Sequence, residues 1–251
     1  MKILVLIPSR YGSTRFPGKP LAMIAGKSLI QHCYDNFMKL AKFSSWCEFE
    51  VAVVTDSEQI ENHLKSSHSN CVRVDDETES GSERIFLAYQ RFFSMKHFDF
   101  IVNVQGDEPL LLADDLKKLI DFQKINNFEI ATLCTSQTSH ENFINPNFVK
   151  VVRASNGQAI YFSRSPIPYN REEKLNSNIE PWLLHAGVYS YTPESLIKYN
   201  KLETSNLEKL EKLEQLRAIE NNISIGVLSL DKVLQGVDTP EDINNIEKYL
   251  N

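Results

Sequence analysis

No apolar run in this sequence approaches the ~20 residues that cross a bilayer. The first one, Ile3-Leu4-Val5-Leu6-Ile7 within "MKILVLIPSR", is too short for the core of a signal peptide. Membrane insertion is therefore not expected. Basic residues are also in deficit: 27 Lys and Arg stand against 33 Asp and Glu, a net charge of -6. That balance argues against general affinity for nucleic acid or an anionic membrane, which needs a basic excess. The four cysteines, Cys33, Cys47, Cys71 and Cys134, show no CxxC spacing and read as reduced, packed thiols of a cytoplasmic protein. Repeats, low-complexity tracts and linkers are missing too, so one domain over 1–251 is expected, with residues 146–195 as an excursion. Two phosphate-binding signatures are absent. There is no GxGxxG, and "AGKS" at 25–28 has Leu21 where a Walker A loop requires glycine.

What is present is an alternation of apolar strands and amphipathic helices. Residues 3–7, "FEVAVVTDS" (49–57) and "FDFIVNVQGDEP" (98–109) are continuous apolar runs that end in polar residues. Helical periodicity follows each. It covers 28–42, with Ile30, Cys33, Tyr34 and Phe37 on one face, then "SEQIENHLKSSH" and "ADDLKKLIDFQKIN". Unalternating strands separated by helices predict an α/β fold with a mostly parallel, doubly covered sheet. Ligands bind beyond the carboxyl ends of such strands, so the loops opening at 8, 55 and 105 should share one side. From 146 to 195 the rhythm changes. "FVKVVRASNGQAIYFSRSPIPY" predicts two short strands across an Asn156-Gly157 turn, and 171–181 is polar and expected to be mobile. A helix "NLEKLEKLEQLRAIE", a strand "ISIGVLSL" and a helix from "VDTPEDINNIEKYL" complete the pattern.

Several stretches could carry chemistry. "IPSRYGSTRFPGKPL" (7–21) sets Arg10, Arg15 and Lys19 among Gly12, Pro17 and Gly18. Glycines let backbone N–H groups approach a ligand, and arginine forks match phosphate oxygens, so three cations would suit a polyphosphate. The alternative is a solvated loop paired with surface acids. In "NVQGDEP" Asp107 ends a strand and could hold Mg²⁺ against a nucleotide phosphate, or serve as a turn acid. In "GVDTPED" the Thr239, Pro240 and Asp242 pattern is a helix start, which leaves Asp238 without a structural duty. "ESGSERI" (79–85) offers an anion-contacting turn with Arg84, or a capping box from Ser80 to Glu83. On "EKLEKLEQLRAIE", Leu207, Leu210, Leu213 and Leu216 read as a core stripe, and Glu208, Glu211 and Glu214 as a solvated face. His185 beside an apolar strand reads as a core histidine. His63 and His68 make a poor metal pair.

Seven blocks, "IPSRYGSTRFPGKPL", "SGSERI", "NVQGDEPL", "YFSRSPIP", "HAGVYSY", "LEKLEQLR" and "GVDTPED", occur in the order found in the 3-deoxy-manno-octulosonate cytidylyltransferase family. Over about residues 3–249 the chain resembles that family. The resemblance implies a three-layer α/β/α Rossmann-like nucleotidyltransferase that couples CTP to 3-deoxy-manno-octulosonate (Kdo), giving CMP-Kdo and pyrophosphate for lipopolysaccharide assembly. It implies that Pro8, Ser9, Arg10, Arg15, Lys19, Ser80, Gly81 and Asp107 meet the nucleotide, with Arg10 and Lys19 on its phosphates. Asp107 and Asp238 become Mg²⁺ ligands. Gln105, Arg164, His185, Tyr189, Glu214 and Gln215 fall to the sugar, with Arg164 offered to its carboxylate. A cytoplasmic homodimer joined through the excursion is also implied.

Three departures stand out: Arg73-Val74 replaces Met-Thr, "HAG" replaces "HLG", and "PSR" replaces "PAR". Base reading through side chains at 73–74 would alter base preference, whereas reading through the backbone would not. Two other activities fit the same pattern: the same transfer to an 8-amino Kdo analogue, or a nucleotide-sensing homologue without catalysis.

Overall fold

The structure is a computed structural model that describes residues 1–12, 16–43, 47–78, 80–171, 181–232, 234, 236–237 and 239–250. Most of the stretch expected to be mobile, 172–180, lies outside those residues, as do Arg15 and Asp238. The chain falls into two compact units, one of residues 1–117 with 234–251, the other of 118–233.

The first unit is built on four parallel strands. β1 (Lys2–Ser9) lies between β4 (Glu48–Thr55) and β6 (Phe100–Asn103), and β5 (Cys71–Arg73) follows β4. Ile3 to Ile7 are fully buried, because a strand covered on both faces has no side that needs to be polar. Between β1 and β4 come a short hairpin, β2 (Met23–Ile24) and β3 (Lys27–Ser28), and then α1 (Leu29–Phe43). The "AGKS" stretch is thus the turn and second strand of a hairpin, and its Lys27 pairs with Asp35. On α1 the expected face, Ile30, Cys33, Tyr34 and Phe37, is buried. α2 (Glu58–Ser66) and α3 (Gly81–Ala88) start where Ser57 and Ser80 accept from the N–H groups of Ile60 and Glu83. These caps satisfy backbone donors that the first helical turn leaves open. α4 (Ala113–Asn126) carries the chain into the second unit, and α9 (Pro240–Leu250) returns to the first. Register aligns Ser9 with Thr55 and Leu6 with Asn103. The loops after these three strands therefore open on one side, as the sequence predicts.

In the second unit β7 (Ile130–Gln137) pairs parallel with β11 (Ile225–Leu230) and antiparallel with β10 (Trp182–Tyr191). The short helix α5 (His140–Ile144), absent from the sequence reading, precedes β8 (Lys150–Arg153) and β9 (Ala159–Ser163). These two strands form the expected hairpin. Gly157, at φ +87, makes its turn, and a Cβ there would stand 2.7 Å from Phe122, so the position needs glycine for both conformation and space. α6 (Pro193–Asn200) follows β10.

One expectation fails here. The single helix read over "NLEKLEKLEQLRAIE" is two, α7 (Asn206–Glu211) and α8 (Leu216–Glu220), separated by Lys212 in the left-handed region at φ 53. Leu210 is 80% exposed instead of lying in the core stripe. Glu208, expected in solvent, is buried in a capping box with Ser205 and bridged by Arg217 at 2.6 and 2.8 Å. Tertiary partners overrode the periodicity. Among the described residues, no helix is long and apolar enough to cross a membrane.

Candidate functional site

In the first unit the corner above the parallel sheet is assembled from three chain segments. Pro8 and Ser9 close β1, and Ser9 is buried with no hydrogen-bond partner for its hydroxyl among the described residues. Gly106 after β6 comes close enough that a Cβ would stand 3.1 Å from the Pro8 carbonyl. Gly81, opening α3, faces Pro8 and the Gln105 amide at 3.4 and 3.5 Å by the same measure. Small residues at both positions let three backbones converge, which brings Pro8, Ser80, Gly81 and Gln105 together.

The cations of the opening loop take two directions. Arg10 Nη2 donates to the carbonyl and hydroxyl of Thr78 at 2.6 and 2.7 Å. Lys19 starts a single 3₁₀ turn after Gly18, whose left-handed φ of 70 reverses the loop. Its Nζ reaches Asp107 Oδ2 at 2.6 Å and the Val237 carbonyl at 2.8 Å. The Val237 N–H in turn donates to the Asp107 carbonyl at 2.9 Å. Asp107 is thus fixed through both backbone and carboxylate, and its side chain remains 30% exposed.

Beside this corner lies a cavity of about 570 Å³ lined by Arg10, Asp56, Asp75, Asp76, Thr78 and Arg84 among others. Arg84 meets the cavity from inside the fold. It is 2% exposed, pairs with Asp56 at 2.9 Å and donates to the Val74 carbonyl at 2.6 Å. Arg73 turns to the surface, where it meets Asp75 and Glu61. Val74 is fully buried, and its N–H donates to the Thr55 carbonyl. The 73–74 departure therefore keeps an ordered backbone while its one polar side chain points to surface acids.

In the second unit, His185 and Tyr189 on β10 meet at 5.4 Å between ring centres. Burial holds the His185 pKa down to about 3, so the ring is neutral. Thr132 Oγ1 gives its proton to the Val188 carbonyl at 2.7 Å, which leaves His185 Nε2, 3.0 Å away, as the donor between them. Tyr189 lines a crevice with Tyr191, Tyr199, Glu214 and Gln215. Burial raises its phenol pKa, and the Glu214 charge adds to the shift. Arg164, at the end of the β9 hairpin, spends its guanidinium on the carbonyls of Glu211, Pro146 and Lys212. Buried Lys150 holds the Arg164 carbonyl from behind.

In the second unit Arg164 bonds to the backbone of 211–212 and Tyr189 shares a crevice with Glu214 and Gln215, while His185 reaches this group through the Tyr189 ring. The sequence reading missed Thr78, Tyr199 and Glu211. The first two carried no motif, and Glu211 sits in a helical pattern that implies exposure.

The cytidylyltransferase family profile matches residues 4–225. The 3-deoxy-manno-octulosonate cytidylyltransferase of Thermodesulfovibrio yellowstonii is 40% identical, over 100% of this chain and 99% of its own. That of Cytophaga hutchinsonii is 41% identical over 97% and 95%. Among solved structures, the CMP:2-keto-3-deoxy-manno-octonic acid synthetase complexed with CTP superposes with a TM-score of 0.87 at 34% identity, covering 100% of this chain and 98% of that one. That likeness covers the α/β fold class that the strand and helix pattern predicts.

Proposed function

The chain belongs to the 3-deoxy-manno-octulosonate cytidylyltransferase family, and from that premise we propose that it transfers the cytidylyl group of CTP to Kdo, with Mg²⁺ held by Asp107 and Asp238. The observation that carries the proposal is the Lys19–Asp107 pair beside Val237, at the carboxyl end of the parallel strands. The anomeric hydroxyl of Kdo forms a bond to the α-phosphorus, the bond from that phosphorus to the β-phosphate oxygen breaks, and the hydroxyl proton is released. Pyrophosphate leaves. A transfer of this kind depends on alignment and charge neutralisation more than on covalent help.

The residues divide that labour. Lys19 and Arg10 neutralise the phosphates, and Arg10 is anchored on Thr78 at the rim of the cavity. Asp107 fits a divalent ion of the Mg²⁺ class, which takes one or two carboxylates and fills its remaining positions with phosphate oxygens and water. One oxygen is already engaged by Lys19, and the side chain stays partly open. When bound, the ion would offset charge building on the phosphate oxygens. Neutral His185, its Nε2–H committed to Thr132, keeps Nδ1 as an uncharged acceptor, which suits a sugar hydroxyl. The same reading has the enzyme working in the cytoplasm as a homodimer joined through 146–195, supplying CMP-Kdo for lipopolysaccharide assembly.

Pyrophosphate release tests it, with CTP or UTP, with Kdo or its 8-amino analogue, and with or without EDTA. Release that needs CTP, Kdo and a divalent ion is expected. Preference for the amino sugar would change the acceptor. Binding of CTP without release would favour a sensing role.

A further inference from the structure

The turn between α7 and α8, residues 212–215, is clamped from both sides. At its start the Glu211 carboxylate crosses to the end of β9, accepting from Ser163 Oγ at 2.6 Å and from the Arg164 N–H at 2.9 Å. Arg164 returns the contact by donating Nε to the Glu211 carbonyl at 2.7 Å. At the far end the Tyr199 hydroxyl, on α6, donates to the Glu214 carbonyl at 2.8 Å. The Tyr199 ring is 3% exposed and lies under the Arg217 guanidinium at 5.4 Å.

Local sequence does not ask for this turn. The leucine spacing of "LEKLEKLEQLR" favours one continuous helix, and a left-handed Lys212 costs about 1–2 kcal/mol. A local rule broken and then held broken by buried partners marks a functional element more often than a structural accident. A second observation points the same way. Gln215 is 5% exposed, and its Nε2 has no hydrogen-bond partner among the described residues. A buried donor left open is rare in native proteins unless a ligand or water completes it.

We propose that Tyr199 and Glu211 are positioning residues that fix Glu214 and Gln215 in the orientation that receives the hydroxyls of the octulosonate. This rests on the sugar-site reading above. Glu211 holds the chain where α7 stops, and Tyr199 sets the carbonyl of Glu214, so the two together decide where the following side chains point.

The test uses the full chain with steady-state kinetics in both substrates. Tyr199→Phe removes one hydroxyl and keeps the ring under Arg217; Glu211→Gln keeps the shape but loses the charge and one of the two acceptor oxygens that the Ser163 hydroxyl and the Arg164 N–H share. Each is expected to raise KM for Kdo about tenfold, as loss of one buried hydrogen bond implies, while KM for CTP stays within about twofold by the same scale. Glu214→Gln serves as the control on the reading and is expected to raise KM for Kdo. If it does so while Tyr199→Phe and Glu211→Gln leave that KM unchanged, the positioning role is overturned and the sugar site stands. If Glu214→Gln is silent, the sugar-site reading falls and takes the proposal with it. A fall in Tm with both KM values moving together would reduce Tyr199 and Glu211 to structural residues, and would also overturn it.

Discussion

Lys19 Nζ stands 2.6 Å from Asp107 Oδ2 and 2.8 Å from the Val237 carbonyl. One cation therefore joins the opening loop, the turn after β6 and the approach to α9. The corner sets a positive charge against a partly open carboxylate, the pairing that the proposed triphosphate and its counter-ion require.

Asp107→Asn retains the shape of the side chain and removes its charge. Turnover should fall about 100-fold or more, the scale seen when a group that stabilises transition-state charge is lost, with an unchanged far-UV circular dichroism spectrum. Asp238→Asn should behave alike. Full activity in either variant would remove that residue from the metal site.

Lys19→Ala should act on the nucleotide first. A charged hydrogen bond contributes about 1.5–3 kcal/mol, so KM for CTP should rise on the order of 10- to 100-fold while KM for Kdo moves little. Unchanged nucleotide kinetics would separate the loop from the phosphates.

His185 carries a pH signature. Its folded pKa, about 3, lies below the ordinary 6.5 because burial disfavours the charged ring. The unfolded chain therefore takes up a proton that the folded chain refuses, and stability declines as pH falls from about 6.5 toward 3. At pH 5 the penalty is about 2 kcal/mol relative to pH 8. Tm measured between pH 8 and 5 should drop more for the natural chain than for His185→Gln; parallel curves would show that the ring protonates freely when folded.

Gly157→Ala introduces a Cβ 2.7 Å from Phe122 at a φ of +87. Strain of about 1–3 kcal/mol should lower Tm by about 3–10 °C. Because the turn joins β8 to β9, and β9 leads into Arg164, any kinetic change should appear in the Kdo term. An unaltered Tm would mean that Phe122 moves aside without cost.

Much of the first unit was legible because its signals are local. Ile3 to Ile7 read as a continuous buried strand, Ile30, Cys33, Tyr34 and Phe37 recur at helical spacing, and Ser80 sits three residues before Glu83, where a cap belongs. Around 206–220 the same reasoning misled. Glu208 and Glu211 carry the spacing of a wet helix face, yet Arg217 and the Ser163–Arg164 segment draw them inward. Arg84 read as part of an anion-contacting turn, and the structure pairs its buried guanidinium with Asp56, 28 positions earlier.

By itself, then, the sequence determined the alternation of the main parallel strands with their helices, the side of those strands on which loops gather, and the motif blocks that mark the family. These follow from short-range periodicity, turn chemistry and spacing. Which charges remain open to a ligand was decided only by the tertiary structure. Arg10 bonds to Thr78 and Lys19 to Asp107, each across more than sixty residues, and Glu211 bonds to Ser163 across 48. The partner that desolvates or neutralises a side chain is set by how the chain folds back, and no local pattern encodes that distance.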